Sequence, residues 1–426
     1  MNIIYIMADD LGWGDLGCYG QEMVATPRLD QLASEGMRFT DHYAGNTVCR
    51  PSRLVLWTGQ HTGHTAISSN AYYDFNRGET TVADLLWGVG YATGGCGKWS
   101  LGREGTPGHP NLKGFDDWFG YLDQGDAHNY YPTHLWHNSE KVPLEGNVLT
   151  GEKKHYGLVA RDKVTYSHDV MVDWMLDWIR EHSDEPFLFH AHFTIPHANN
   201  ESGAATGDGM EVPSVGDYQQ MDWPEPEKGF AAMVTRLDGD VGRLVDLLHR
   251  LGIAERTYLI FTSDNGPHQE GGHSHTFFDS NGPLRGLKRD LYDGGIRVPM
   301  IAWCPSRIAA GSVSEHISGF QDFLPTACEI AGVAVSDGTD GISYLPTLLG
   351  LKGEQEAHEF LYWRFKDKEA VRVGPWKGVR TSASSPLELY QIGIDLEEKK
   401  NISSEYPLVV RRLMALIDRA GGADPR

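Results

Sequence analysis

Short apolar runs alternate along the chain with amphipathic stretches. Residues 2–8, NIIYIMA, are almost continuously apolar and end in Asp9 and Asp10; a run of that length reads as a strand buried on both faces. TPRLDQLASEG follows, a helix with Thr26 as N-cap, Pro27 in the first turn, Leu29, Leu32 and Ala33 on one face and Gly36 as stop. TVADLLWGVG, residues 81–90, reads as a helix ending in glycine, and YATGGCGKWS as a strand running into a polar loop. Residues 168–182 repeat apolar positions at helical spacing, PFLFHAHF is a strand, residues 230–251 are an amphipathic helix, and TYLIFTSDNG is a strand ending in Asp264 and Asn265. This alternation predicts an α/β fold: a mainly parallel sheet with helices on both faces.

Two stretches break the pattern. Residues 102–156 and 199–228 are rich in Gly, Pro, Asn and aromatic residues and carry little periodicity, so both read as long loops over a cleft. From about residue 351 the character changes again. EFLYWRF, EAVRVGPWKGVR and LELYQIG are short strands with turns between them, and PLVVRRLMALIDRA closes the chain as a helix. The expected organisation is a large α/β domain over residues 1–350 and a small α+β subdomain, an antiparallel sheet with a helix, over residues 351–426.

Composition narrows the function. A formal net charge of -21 repels nucleic acid and anionic membrane surfaces, so an anionic substrate would need local cations. Five cysteines without a CxxC pair argue against a disulfide framework and a structural zinc site. No apolar run approaches the roughly 20 residues that span a bilayer. No signal peptide precedes the first strand, so the sequence as written reads as cytoplasmic, or as periplasmic or secreted if a leader was trimmed.

Polar clusters fall where strands should end: Asp9–Asp10, Cys49 with Arg53, Lys98, and Asp264–Asn265 with Lys288 further on. Three carboxylates and an amide oxygen suit a hard cation, Ca²⁺ or Mg²⁺, and lack the nitrogen and sulfur donors typical of zinc. Either aspartate pair taken singly is equally an ordinary turn. Cys49 in CRPSR is open to several readings: a packed thiol, a nucleophile lacking an evident base, a metal ligand, or a residue that does not remain cysteine. Arg53 lies one helical turn away and could point at whatever Cys49 carries.

NIIYIMADDLGWGDLGCYG, TPRLDQLASEGMRFTDHYAG, CRPSR with TGQHTGH, GKWSLG, SDNG, PLRGLKRDLYDGGIRVPMI and ELYQIGIDLEEKKNIS resemble, in order and over nearly the whole chain, the signature blocks of the type I sulfatases. The resemblance implies an alkaline-phosphatase-like fold and hydrolysis of a sulfate monoester. It implies that a maturation enzyme reads Pro51 and Arg53 and oxidises Cys49 to formylglycine, an aldehyde whose hydrate attacks sulfur and later expels sulfate. It also implies calcium ligation by Asp9, Asp10, Asp264 and Asn265, anchoring of the formylglycine by Arg53, sulfate contacts from Lys98 and Lys288, and protonation of the leaving alcohol by His197. His190 and His192 share one strand face and read as structural.

Two positions depart from the family pattern. Ser100 stands where a histidine ordinarily assists the formylglycine hydroxyl, and serine is a poor base near neutral pH; His128 or water is the expected replacement. Gln60 stands where the extended maturation motif often has arginine. Asp126, His128, Tyr130 and Trp136 of GYLDQGDAHNYYPTHLW suit contacts to a sugar ring beside Ser100, and these aromatics equally suit packing of the loop; the loop also resembles that of carbohydrate-acting sulfatases, which implies a sulfated saccharide, galactose-type sugars included, as substrate. The rival functions are a phosphonate or phosphate ester hydrolase and a non-catalytic sulfoglycan-binding protein.

Overall fold

The computed structural model describes residues 1–154, 157–335, 338–351 and 353–422. Its centre is a ten-stranded sheet in the order Ser312–Ser314, Met37–Phe39, Met300–Trp303, Thr257–Ser263, Asn2–Ala8, Phe187–His192, Ala92–Lys98, Asp117–Tyr121, His134–His137 and Glu140–Pro143. The five strands from Thr257–Ser263 to Asp117–Tyr121 run parallel. Asn2–Ala8 shows why its sequence is apolar throughout. Ile4, Ile6 and Ala8 join the core on one face, and Ile3, Tyr5 and Met7 join the core on the other, as the period of two requires.

Helices Pro27–Glu35, Ser167–Glu181 and Glu225–Arg250 cover the first face, through residues such as Leu29, Met171 and Leu237. Helices Cys49–Thr58, Val82–Trp87 and Phe323–Ala331 cover the second, through Leu54, Leu86 and Phe323. The glycines of Ala92–Lys98 leave room for this packing: a Cβ at Gly94 would lie 2.6 Å from the Trp178 ring, and one at Gly95 2.5 Å from Trp118. Thr81 and Asp84 form a reciprocal capping box at the start of Val82–Trp87.

Three sequence expectations need correction. Residues 102–156 are not one long loop: Asp117–Tyr121, His134–His137 and Glu140–Pro143 extend the main sheet, and Val148–Lys154 pairs with Gly157–Asp162 in a hairpin. Residues 155 and 156 lie outside the described residues. The second stretch is loop with two short helical pieces, Asn200–Thr206 and Gly216–Gln220. The helix expected from residue 230 starts at Glu225, because its first turn, EPEK, is charged and shows no apolar periodicity.

Beyond these, Leu361–Phe365, Lys368–Val373, Trp376–Arg380 and Glu388–Gln391 form an antiparallel sheet. Helix Pro407–Gly421 packs on it through Leu413, Leu416 and Ile417. Trp363 of this sheet donates from Nε1 to the Ala44 carbonyl, five residues before Cys49, at 2.9 Å. Among the described residues no helix is long and apolar enough to cross a membrane.

Candidate active site

Neighbouring parallel strands deliver the site at their carboxyl ends, where open α/β sheets bind ligands. Ala8 and Ser263 are partners in register, so Asp9–Asp10 and Asp264–Asn265 leave the sheet side by side. Lys98 ends the Ala92–Lys98 strand, and His197 follows Phe187–His192. Strand alternation would send Asp9 and Asp10 to opposite faces. Asp10 instead adopts φ 67, a left-handed conformation that aspartate tolerates better than most residues, and both carboxylates join one cluster.

Cys49 does not sit at a strand end, as the sequence suggested. It is the first residue of helix Cys49–Thr58, with extended Val48 before it. Pro51 falls in the first helical turn, where its missing N–H has no intrahelical partner to lose. The thiol is buried and donates to Asp9 Oδ1 at 3.3 Å. Burial, and then the Asp9 charge, push the Cys49 thiol up.

Arg53, one turn along, is fully buried. It donates to Asp264 Oδ2 from Nη2 at 2.8 Å and from Nε at 3.1 Å, to Asp9 Oδ2 at 3.2 Å and to the Lys98 carbonyl at 2.9 Å. Its hydrogen bonds therefore fix the carboxylates rather than the Cys49 side chain. His192 Nδ1 lies 3.4 Å from Arg53 Nη1, and the His192 ring stacks on Trp57; this histidine supports the arginine from the core.

Lys98 Nζ meets Asp9 Oδ2 at 2.6 Å, and Lys288 Nζ meets Asp10 Oδ2 at 2.6 Å. Three buried carboxylates thus face three buried cations: Asp9, Asp10 and Asp264 against Arg53, Lys98 and Lys288. Burial works against the charge on Lys98 and Lys288, and Asp9 and Asp10 more than offset it, so both ammonium groups are held charged. Asp264 is raised to about 7 by burial first and by the Asp9 charge second, against the pull of Arg53.

The donor set fits a hard divalent cation. Asn265 Oδ1 is buried without a hydrogen-bond partner, while its Nδ2 donates to Asp10 Oδ1 at 2.7 Å. The orphaned amide oxygen and three carboxylates supply oxygen donors, which suits Ca²⁺ or Mg²⁺, and Cys49 and His197 cluster with Asp9 and Asp10 at the same place. A divalent cation would also relieve the repulsion that raises Asp264.

His197 Nδ1 lies 2.6 Å from the Ala198 carbonyl and Nε2 lies 3.2 Å from Lys288 Nζ. The carbonyl requires a proton on Nδ1, which leaves the Nε2 lone pair facing the ammonium. Burial and then the Lys288 charge lower His197 to about 3. It is neutral in this arrangement, and an anion beside it would favour its protonation. The Tyr130 hydroxyl holds this turn, its single proton within reach of the carbonyls of both Thr194 and His197.

The residues proposed for the sugar separate in space. His128 lines the cleft, stacks on His197 at 4.8 Å, and places Nδ1 3.2 Å from Glu201 Oε2. Ser100 is buried at φ 70 with no hydrogen bond from Oγ, and its carbonyl accepts from Arg50 Nε at 3.0 Å. Tyr130 is fully buried and positions His197, so it is not a sugar contact. Asp126 and Trp136 line a separate cavity beside His134 and Asn129, and Trp136 belongs to an outer strand of the sheet. An aromatic-rich loop could serve either purpose, and packing claimed most of its rings.

The cleft itself has a volume of about 370 Å³. Arg50, Asn70, Tyr72, Asp123 and Arg289 line it with His128, His197 and Lys288, and none of these five is among the residues the sequence points to. Arg50 occupies the first of the two variable positions of CRPSR and Arg289 adjoins Lys288; Asn70 and Tyr72 carry no comparable sequence signal.

Comparison with known proteins agrees with this geometry. The family model described as Sulfatase matches residues 1–333, and the model described as N-sulphoglucosamine sulphohydrolase, C-terminal, matches residues 275–406. N-acetylgalactosamine-6-sulfatase of Canis lupus familiaris is 31% identical over 94% of this chain and 76% of its own length. Arylsulfatase A of Homo sapiens is 34% identical over 88% of this chain and 74% of its own. The crystal structure of Ps i-CgsB in complex with k-i-k-neocarrahexaose superposes with a TM-score of 0.82 at 25% identity, covering 100% of this chain and 94% of that one.

Proposed function

Because this chain belongs to the sulfatase family and is a sulfuric ester hydrolase, we propose that it removes sulfate from a galactose-type sugar, with Cys49 converted to formylglycine and Ca²⁺ held by Asp9, Asp10, Asp264 and Asn265. The observation that carries this reading is the Cys49 side chain itself. It is a buried thiol that donates to Asp9 and clusters with Asp10 and His197, and His197 in turn lines the polar cleft. The converted residue would supply the nucleophile, and the cation would polarise a sulfate oxygen.

This chain's own residues do the rest. Lys98 and Lys288 contact the sulfate, and Arg50 and Arg289 add positive charge at the cleft of a chain whose net charge is -21. With the sulfate anion beside it, His197 would take up a proton at Nε2, next to Lys288, and pass it to the leaving alcohol. His128 supplies the base that Ser100 does not, oriented by Glu201. His128→Ala is expected to lower kcat roughly 100-fold, the ordinary scale of lost acid–base catalysis. Unchanged turnover would remove His128 from the mechanism.

Release of inorganic sulfate from N-acetylgalactosamine 6-sulfate, measured beside the matching phosphate ester, tests the function. The protein must come from a host with the maturation enzyme, and the mass of the tryptic peptide of residues 39–53 must show the aldehyde. Sulfate release lost in Cys49→Ala is the expected result. Phosphate release exceeding sulfate release would transfer the assignment to the phosphate esters.

Calcium is expected to raise the unfolding midpoint of chelator-treated protein, because a cation bound only by the folded state adds about 2.7 kcal/mol at a hundredfold excess over Kd. Asp264→Asn should blunt that shift. An equal response to calcium in both proteins would place the ion elsewhere.

A further inference from the structure

At the mouth of the cleft, Asp290 N donates to the Leu287 carbonyl at 2.8 Å, closing a turn over residues 287–290 whose third residue, Arg289, has φ 80. That position of such a turn ordinarily takes glycine, since a side chain there is strained. Strain kept at a cleft points to a use for the side chain. The turn is anchored beside the reacting centre: Arg289 N donates to Thr47 Oγ1 at 2.8 Å, two residues before Cys49.

The other cleft cations are engaged. Arg50 donates to the carbonyls of Asn70, Ala71 and Ser100. Lys288 is buried on Asp10, Glu270 and His197. Arg289 meets Glu270 at 2.5 Å, yet its side chain stays 53% exposed and faces the cleft. Glu270 is itself within 3.3 Å of Lys288, so an incoming anion could take Arg289 while Glu270 keeps an ion-pair partner.

We propose that Arg289 selects substrates carrying a second acidic group, a sulfate or a carboxylate, near the ester that is cleaved. This rests on the sugar-sulfatase reading above. A planar guanidinium beside the sulfate-binding lysine matches either oxyanion through paired N–H donors. The natural substrate class is then a polyanionic saccharide rather than an isolated neutral sugar bearing one sulfate.

The test compares N-acetylgalactosamine 6-sulfate, N-acetylgalactosamine 4,6-disulfate, and a 6-sulfated hexosamine joined to a uronic acid, in the wild type and in Arg289→Gly and Arg289→Lys. Glycine suits the turn, so Arg289→Gly should unfold no earlier than the wild type. The wild type is expected to prefer one of the doubly acidic substrates roughly tenfold in kcat/KM, and Arg289→Gly to collapse that ratio through KM. Arg289→Lys should restore part of it. The disulfate and the uronate arms identify which acid is read. Absence of a preference in the wild type, or a preference that survives in Arg289→Gly, overturns the proposal while leaving the sugar-sulfatase reading intact. If no sugar sulfate is hydrolysed while 4-nitrophenyl sulfate is, the sugar reading fails and this proposal falls with it.

Discussion

Arg53→Ala should abolish sulfate release and destabilise the fold together. The side chain is fully buried and bonds to Asp264, Asp9 and the Lys98 carbonyl. Its removal leaves two buried carboxylates short of a partner, and breaking such a pair costs about 3–5 kcal/mol. Arg53→Lys should rescue little, because a single ammonium cannot reproduce the planar fork that reaches both aspartates and the carbonyl. Adding Asp264→Asn to Arg53→Ala should recover part of the stability, since the second change removes one orphaned charge, and none of the activity. Urea unfolding and sulfate release measured on the same preparations check both halves. A stability loss below about 1 kcal/mol would mean that the cluster does not depend on Arg53 for charge compensation.

The legible parts of the molecule were those with a strong local signal. The Asn2–Ala8 run had to be buried on both faces, and Asp9 and Asp10 at its end had to lie at the rim of the sheet. The same reasoning found Asp264 and Asn265. That the two strands are neighbours in register is a property of strand order, which no local pattern encodes. Asp117–Tyr121 was missed because DWFGY is short, contains a glycine and sits among turn residues. Tyr130 and Trp136 lie away from the cleft for a different reason. Tyr130 and Trp136 have the composition of a binding surface, but a ring buried under a loop and a ring facing a cleft have the same sequence. Arg289 went unassigned because its meaning lies in its backbone conformation, and only φ reveals that an arginine holds a position suited to glycine.

The second large effect lies away from the reacting atoms. Lys377, on Trp376–Arg380, is fully buried with Nζ 2.6 Å from Asp293 Oδ1 and 3.0 Å from Glu398 Oε1. Asp293 opens the short helix Asp293–Ile296, five residues after Lys288, so this contact ties the C-terminal sheet to the segment that presents Lys288 and Arg289. Asp293 also accepts from Tyr43 at 3.0 Å and Arg297 at 3.2 Å, whereas Glu398 is already raised to about 7 by burial, with Lys377 opposing the rise. Lys377→Met keeps the volume and removes the charge. Asp293 would keep Arg297, and Glu398 would have to take up a proton or stay charged without Lys377. The expected loss is about 3 kcal/mol, at the lower end for a broken buried pair because protonation of Glu398 softens it. The sign of the pH dependence follows. With Lys377 gone, the folded-state pKa of Glu398 rises further above its unfolded value, the folded state binds more protons than the unfolded one, and the variant loses stability relative to the wild type as pH increases. Lys377→Met with Glu398→Gln should regain most of the loss and remove that pH dependence. Full stability regained without activity would show that the charged contact sets the position of Lys288 and Arg289, and activity returning with stability would show that it only holds the two sheets together.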